Sequence, residues 1–271
     1  MIDRLLSTTI IREIELSQII AIANQKGGVG KTTTTVSLAA AIGKMNKNVL
    51  IIDADPQSNA SSAIGFNSPN NSALYDSLLN NYSLRNGIMS TAMERVSIVP
   101  SAPELAGVEV ELVSHLAREY RMQNTLESLR EEYDLIFIDC PPSLGLLTVN
   151  ALTAADSVLI PVQCEYFALE GLKHLSNTVE LIQKNLNPKL KICGILLTMY
   201  DARTNLSRDV ELEVRAHFNE TFNVVIPRSI RLSEAPSHGI SVLDYDPESA
   251  GAVAYNQLAE EFLNLSNGHH S

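Results

Sequence analysis

Residues 24–35 read Asn24-Gln25-Lys26-Gly27-Gly28-Val29-Gly30-Lys31-Thr32-Thr33-Thr34-Thr35. An apolar run, residues 19–23, precedes them, and Val36-Ser37-Leu38-Ala39-Ala40-Ala41, of helical composition, follows. The order is strand, glycine loop, helix. Such a loop turns backbone N–H groups toward an anion, a lysine adds a point charge for the outer phosphates, and the next hydroxyl can hold magnesium. Gly27, Gly28, Val29, Gly30, Lys31, Thr32 and Thr33 are therefore the candidate phosphate cradle, with Lys31 on the outer phosphates and Thr32 on Mg2+. One lysine is enough for that task, so Lys26 at the start of the loop needs its own explanation.

Outward from the loop, strand-like apolar segments recur at residues 49–53, 96–100, 135–139, 158–162, 192–198 and 224–227, with helical patterns between them. Several are apolar nearly throughout, as strands covered on both faces are. This alternation predicts an α/β fold with a doubly wound, mainly parallel sheet flanked by helices and ligands at the carboxyl ends of the strands. Residues 66–87, rich in Asn and Ser, read as a surface excursion with a short helix near 73–79. The expected organisation is a short arm over residues 1–18, one domain over 19–265 and a disordered tail over 266–271.

Two strand ends carry acids. Val49-Leu50-Ile51-Ile52-Asp53-Ala54-Asp55-Pro56-Gln57 puts two aspartates on one face, and Asp134-Leu135-Ile136-Phe137-Ile138-Asp139-Cys140 ends a buried-looking strand in one. By position Asp139 can hold magnesium through its water shell, opposite the Thr32 hydroxyl.

The 271 residues are 45% apolar and 19% charged, with a net charge of −11. That acidity argues against a general nucleic-acid or anionic-membrane coat protein, so any polyanion must meet a local basic patch. Cys140, Cys164 and Cys193 form no C-x-x-C pair, which points to cytoplasmic thiols rather than zinc or disulfides. The start, MIDRLLSTTIIREIELSQ, is too interrupted by charge for a signal peptide. No apolar run approaches the ~20 residues that span a bilayer, and the expectation is a soluble protein.

The strict phosphate-loop pattern G-x-x-x-x-G-K-[ST] fails here, because Gln25 stands at its first glycine. Lys26-Gly27-Gly28-Val29-Gly30-Lys31-Thr32 instead resembles the deviant Walker A form of the ParA and MinD group of P-loop ATPases. The resemblance implies ATP and Mg2+ as cofactors and a role for Lys26 in trans, on the nucleotide of a partner subunit in a sandwich homodimer. It also implies that Asp55, in a segment similar to the family's D-x-D-P-Q-G-N, positions or activates the attacking water beside the metal. Ser58 departs from the glycine of that pattern.

Downstream, PVQCEYFALEGL, LLTMYDARTNLS, VIPRSIRLSEAPSHG and DYDPESAGAVAY resemble the chromosomal ParA, or Soj, type of partitioning ATPase. By that resemblance Pro227, Arg228 and Ser229 border the adenine pocket, with Ser229 in place of the commoner asparagine. It further implies weak ATP hydrolysis stimulated by a ParB- or Spo0J-like activator, non-specific binding of duplex DNA as the ATP dimer, and a cytoplasmic, nucleoid-associated protein. The DNA-binding candidates by motif position are Arg203 and Arg231, with Arg208 and Arg228 as neighbours; Asp201, Asp209 and Glu234 nearby leave ion pairing as the alternative. Other readings are a ParA-like ATPase positioning a different cargo, a MinD-like membrane ATPase, a nitrogenase-reductase-like electron carrier and a plasmid-type repressor. No Lys or Arg follows Arg231 and Glu260 and Glu261 lie in the last helical stretch, which disfavours an anionic bilayer. Isolated cysteines disfavour a cluster, and about 18 residues before the first strand are too few for a DNA-reading domain.

Overall fold

The computed structural model describes residues 17–66 and 72–268. Seven strands form one sheet: β1 (Gln18–Ile22), β2 (Val49–Asp53), β3 (Met89–Ser90), β4 (Val96–Val99), β5 (Leu135–Asp139), β6 (Ser157–Gln163) and β7 (Lys191–Thr198). Their order is β3-β4-β2-β5-β1-β6-β7, and every pairing except the antiparallel β3–β4 edge is parallel. The helices are α1 (Lys31–Lys44), α2 (Asn59–Ala63), α3 (Ala73–Asn80), α4 (Val108–Glu111), α5 (Arg121–Glu127), α6 (Leu146–Ala154), α7 (Ala168–Asn185), α8 (Asn205–His217), α9 (Arg231–Glu234), α10 (Val242–Tyr245) and α11 (Ala250–Gly268).

Strand alternation explains the two apolar layers. Ile19, Ala21 and Ala23 enter one layer with Leu50, Ile52, Ile136 and Ile138, against α3, α5, α6 and α7. Ile20 and Ile22 enter the other with Val49, Ile51, Leu135 and Phe137, against α1 and α11. Side chains that alternate in direction are buried on both sides, so the strands read as unbroken apolar runs. The chain passes from β1 to β2 on one side of β1, while β5 crosses to β6 on the other. The loop after β1 therefore leaves the sheet where the winding reverses, the place such sheets use for ligands.

Two details differ from the sequence-based expectation. Residues 224–227 are not a strand: the segment runs beside β7 with single bridges, Thr221 to Ile195 and Pro227 to Tyr200. The amides of Asn223 and Val224 are instead taken by the Glu261 carboxylate of α11 (2.7 and 3.0 Å), and Pro227 has no N–H to offer. The seventh strand is the two-residue β3, too short to leave a periodic signal. The last helix extends to Gly268, past the expected boundary at 265; residues 1–16, 67–71 and 269–271, which include most of the arm and the end of the tail, lie outside the described residues.

The crossing segment is set by Gly194 and Phe222. A β-carbon on Gly194 would overlap the Phe222 ring, which is buried, while the Phe222 amide donates to the Ile195 carbonyl (3.0 Å). Gly194→Ala is expected to cost about 1–3 kcal/mol by overpacking, read as a lowered urea midpoint at unchanged slope. An unchanged midpoint would mean that the ring yields without loss.

Candidate nucleotide site

The loop is built by two left-handed glycines, Gly28 at φ +74° and Gly30 at φ +89°, where other residues are strained. Gly30 is the residue that caps α1. Between them Val29 is buried and its carbonyl accepts a hydrogen bond from the Thr198 hydroxyl at the end of β7 (2.8 Å). At the other end Asn24 donates to the Pro161 carbonyl (2.7 Å) and accepts from the Lys26 amide (3.0 Å). Three strand ends thus fix one short loop.

The two lysines go to different places. Lys31 is buried, and its Nζ donates across the loop to the Lys26 carbonyl (3.3 Å). Burial pulls its pKa down, against the opposing pull of Asp139 and Asp55. Lys26 points away, half-exposed, with Nζ 2.7 Å from Glu165 Oε2 in the loop after β6. A pair this open is worth little, so Lys26 can change partners at small cost.

Beneath the loop, four threonines at the start of α1 sacrifice helix propensity for hydroxyls. Thr32 donates to Asp139 Oδ2 (2.8 Å), and Thr34 Oγ1 lies 3.1 Å from the Tyr255 hydroxyl of α11. Thr35 Oγ1 lies 2.9 Å from Asp139 Oδ1 and 3.0 Å from the Lys31 carbonyl, with one proton to serve two acceptors. Burial, and then the neighbouring Asp53 carboxylate, push the Asp139 pKa up, against the hydrogen bonds from Thr32 and Thr35 and the charge of Lys31. Asp53 is paired in register with Asp139 across β2 and β5, and burial raises it too, despite hydrogen bonds from Ser61 and the Asp55 amide. Asp55, on the turn after β2, is buried and accepts from the Gln57 amide (2.9 Å).

This donor set suits a hard cation. Thr32, Asp139 and Asp55 offer oxygen only, yet among the described residues no group of three or more His, Cys, Asp or Glu could hold a metal unaided. Magnesium fits that pattern because it keeps waters and is bound jointly by one or two protein oxygens and substrate phosphates.

Beside the loop a cavity of about 380 Å³ is lined by Gly30, Thr33, Met199, Pro227, Arg228 and Ser229 among others. The predicted base-pocket residues are thus adjacent to the phosphate loop. The four arginines are exposed and lie outside the cradle. Arg203 binds Asp201 through two nitrogens (2.9 and 2.7 Å) and holds that carboxyl far below its usual range. Arg231 pairs with Glu234 (2.8 Å) and Asp246 (3.1 Å), and Arg208 donates to the Ala202 carbonyl (2.7 Å). Arg228 lies close enough to Asp201 to help hold it low.

Residues 17–192 match the family described as AAA domain. The sporulation initiation inhibitor protein Soj of Bacillus subtilis is 53% identical over 248 residues, which cover 91% of this chain and 98% of that one. The chain belongs to the Soj/ParA family of chromosome-partitioning ATPases. Among solved structures, the cobyrinic acid a,c-diamide synthase of Mycobacterium smegmatis with bound ATP analog and magnesium matches at a TM-score of 0.80 and 35% identity, covering 90% of this chain and 93% of that one. The septum site-determining protein MinD of Pyrococcus horikoshii, complexed with Mg-ADP, matches at 0.73 and 29%, covering 91% and 96%. The Soj/ParA assignment and the P-loop fold agree with the motif reading.

Sequence reasoning missed Thr35, Asp53, Thr198 and Glu165. Asp53 was visible as the first acid of its pair, but its burial beside Asp139 depends on β2 and β5 being neighbours. Glu165, in the loop after β6, and Thr198, at the end of β7, lie 139 and 169 residues from their partners Lys26 and Val29 and carried no local signal.

The buried acids set a pH dependence. From the ordinary carboxyl value of 3.8 up to about 7, folded Asp139 holds a proton that the unfolded chain has released. Ligand-free stability therefore falls as pH rises through that window. Asp139→Asn is expected to raise the ligand-free melting point at pH 8 by roughly 2–6 °C, the effect of about 1–2 kcal/mol in a chain of this size. A melting point lowered or unmoved, with no dependence on pH between 5 and 8, would show that the acid is not strained.

Proposed function

We propose that this Soj/ParA-family chain is an ATP-driven switch for DNA segregation. The observation that carries the reading is the division of the lysines: Lys31 is drawn into the cradle while Lys26 is held outside it on a weak surface pair. Gly27 to Thr33 bind the phosphates of ATP, Lys31 contacts the outer ones, and the base enters the cavity beside Pro227, Arg228 and Ser229. Thr32 and Asp139 hold Mg2+, with Asp55 beside it; when bound, the ion supplies positive charge at the transferring phosphate. Asp55 orients the attacking water. Lys26 leaves Glu165 for the phosphates bound by a second copy, neutralising charge that one subunit leaves exposed. ATP binding and homodimer formation are thereby coupled.

The dimer doubles the number of arginines in one footprint, which offsets a net charge of −11 by local multivalency. Arg203, Arg208, Arg228 and Arg231 contact DNA phosphates, and the carboxylates now paired with Arg203 and Arg231 give way because exposed ion pairs are weak. A ParB- or Spo0J-like activator stimulates otherwise weak hydrolysis and releases the DNA, in a cytoplasmic, nucleoid-associated cycle. The whole acts as one domain over residues 19–265. Positioning of another cargo is the second reading, since a partner protein rather than the nucleotide site selects cargo. A membrane role has less support: among the described residues no helix is long and apolar enough to cross a bilayer, and α11 carries Glu260 and Glu261 without any Lys or Arg.

Binding to non-specific duplex DNA is the test, with ATP, ADP or no nucleotide at two salt concentrations. Binding is expected only with ATP and should fall steeply with salt, as phosphate contacts require. Arg231→Glu should abolish it while leaving the ATP-dependent dimer. A wild-type dimer that ignores DNA under all conditions would move the reading to another cargo.

A further inference from the structure

At the amino ends of β1, β6 and β7, the end of the sheet opposite the nucleotide loop, lies a cavity of about 890 Å³ whose lining includes Leu190, Ile192, Cys193, Phe222, Phe262 and Leu265. Nothing in the nucleotide reading uses it. Gln18 and Asp156 stand at its rim. Arg130 grips both Asp156 (2.8 and 3.1 Å) and the Ser17 carbonyl (2.7 Å), so the described chain begins at this groove. Immediately upstream are sixteen residues, MIDRLLSTTIIREIEL, with Leu5, Leu6, Ile10, Ile11, Ile14 and Leu16 among them. A few residues suffice to cross the groove, because extended chain covers ~3.3–3.6 Å per residue. Lys189, Lys191, Glu220 and Glu261 put charges of both signs on the rim, and the upstream segment likewise carries both, in Asp3, Arg4, Arg12, Glu13 and Glu15.

We propose that residues 1–16 of this same chain occupy the groove. The apolar residues in the lining, the position where the described chain starts and the apolar content of the segment favour it over a separate protein. Burial of several Ile and Leu side chains drives the docking. The proposal stands independently of nucleotide, dimer and DNA.

Cys193 is a native reporter, because it lines the groove while Cys140 and Cys164 are buried elsewhere. Its alkylation by iodoacetamide at pH 8 is followed by peptide mass spectrometry in the full-length protein and in the full-length Ile10→Asp/Ile14→Asp variant. Release of the segment is expected to speed Cys193 modification about tenfold, as loss of local protection does, with Cys140 and Cys164 unchanged. Equal rates, or acceleration shared by all three thiols, would overturn the proposal. A photo-crosslinker at position 10 of the otherwise native chain gives a second measurement. Crosslinks within one chain to residues 189–193 or 219–223 support it, and crosslinks elsewhere or between chains contradict it.

Discussion

A single hydrogen bond across the first loop, from Lys31 Nζ to the Lys26 carbonyl, separates the duties of two lysines five residues apart. It draws one ammonium into the buried cradle and leaves the backbone of the other as the cradle's rim. Two left-handed glycines make the turn possible, and the ends of β6 and β7 hold it through Asn24 and Thr198. The geometry follows from a parallel sheet whose winding reverses at β1, since only there do the ends of β5 and β6 flank the same loop.

The second constraint is electrostatic. Asp53 and Asp139 end adjacent strands in register and are buried, so in the ligand-free protein both are pushed toward their neutral forms. Such a pair is costly to the apo fold and suited to a cation. Hydroxyls from the threonine run of α1 hold Asp139 in place meanwhile. Stability given up at the site is thus available to ligand binding, a trade common at functional positions.

Much of this was legible in the sequence. The glycine loop, the six main parallel strands and Asp139 carry local signals: left-handed positions need glycine, doubly covered strands are apolar throughout, and an acid at the end of such a strand must serve or be neutralised. What escaped depends on distant pairing. Residues 224–227 have strand composition, yet Glu261, 37 residues along the chain, captures the Val224 amide and Pro227 has none to offer, so only Ile226 donates to β7. β3 is a two-residue edge without periodicity. Arg203 and Arg231 both meet carboxylates, the alternative that sequence spacing left open.

The account depends most on Lys26 acting on a nucleotide that another subunit holds. Mixing two hydrolysis-deficient variants, Lys26→Ala and Asp55→Ala, tests this directly, because neither subunit alone contains both residues. If Lys26 acts in trans, a mixed dimer has one complete site, and the mixture regains a fraction of wild-type ATP hydrolysis that neither variant shows alone. If the mixture stays as inactive as its components although mixed dimers form with ATP, Lys26 acts on its own subunit's nucleotide and the account fails.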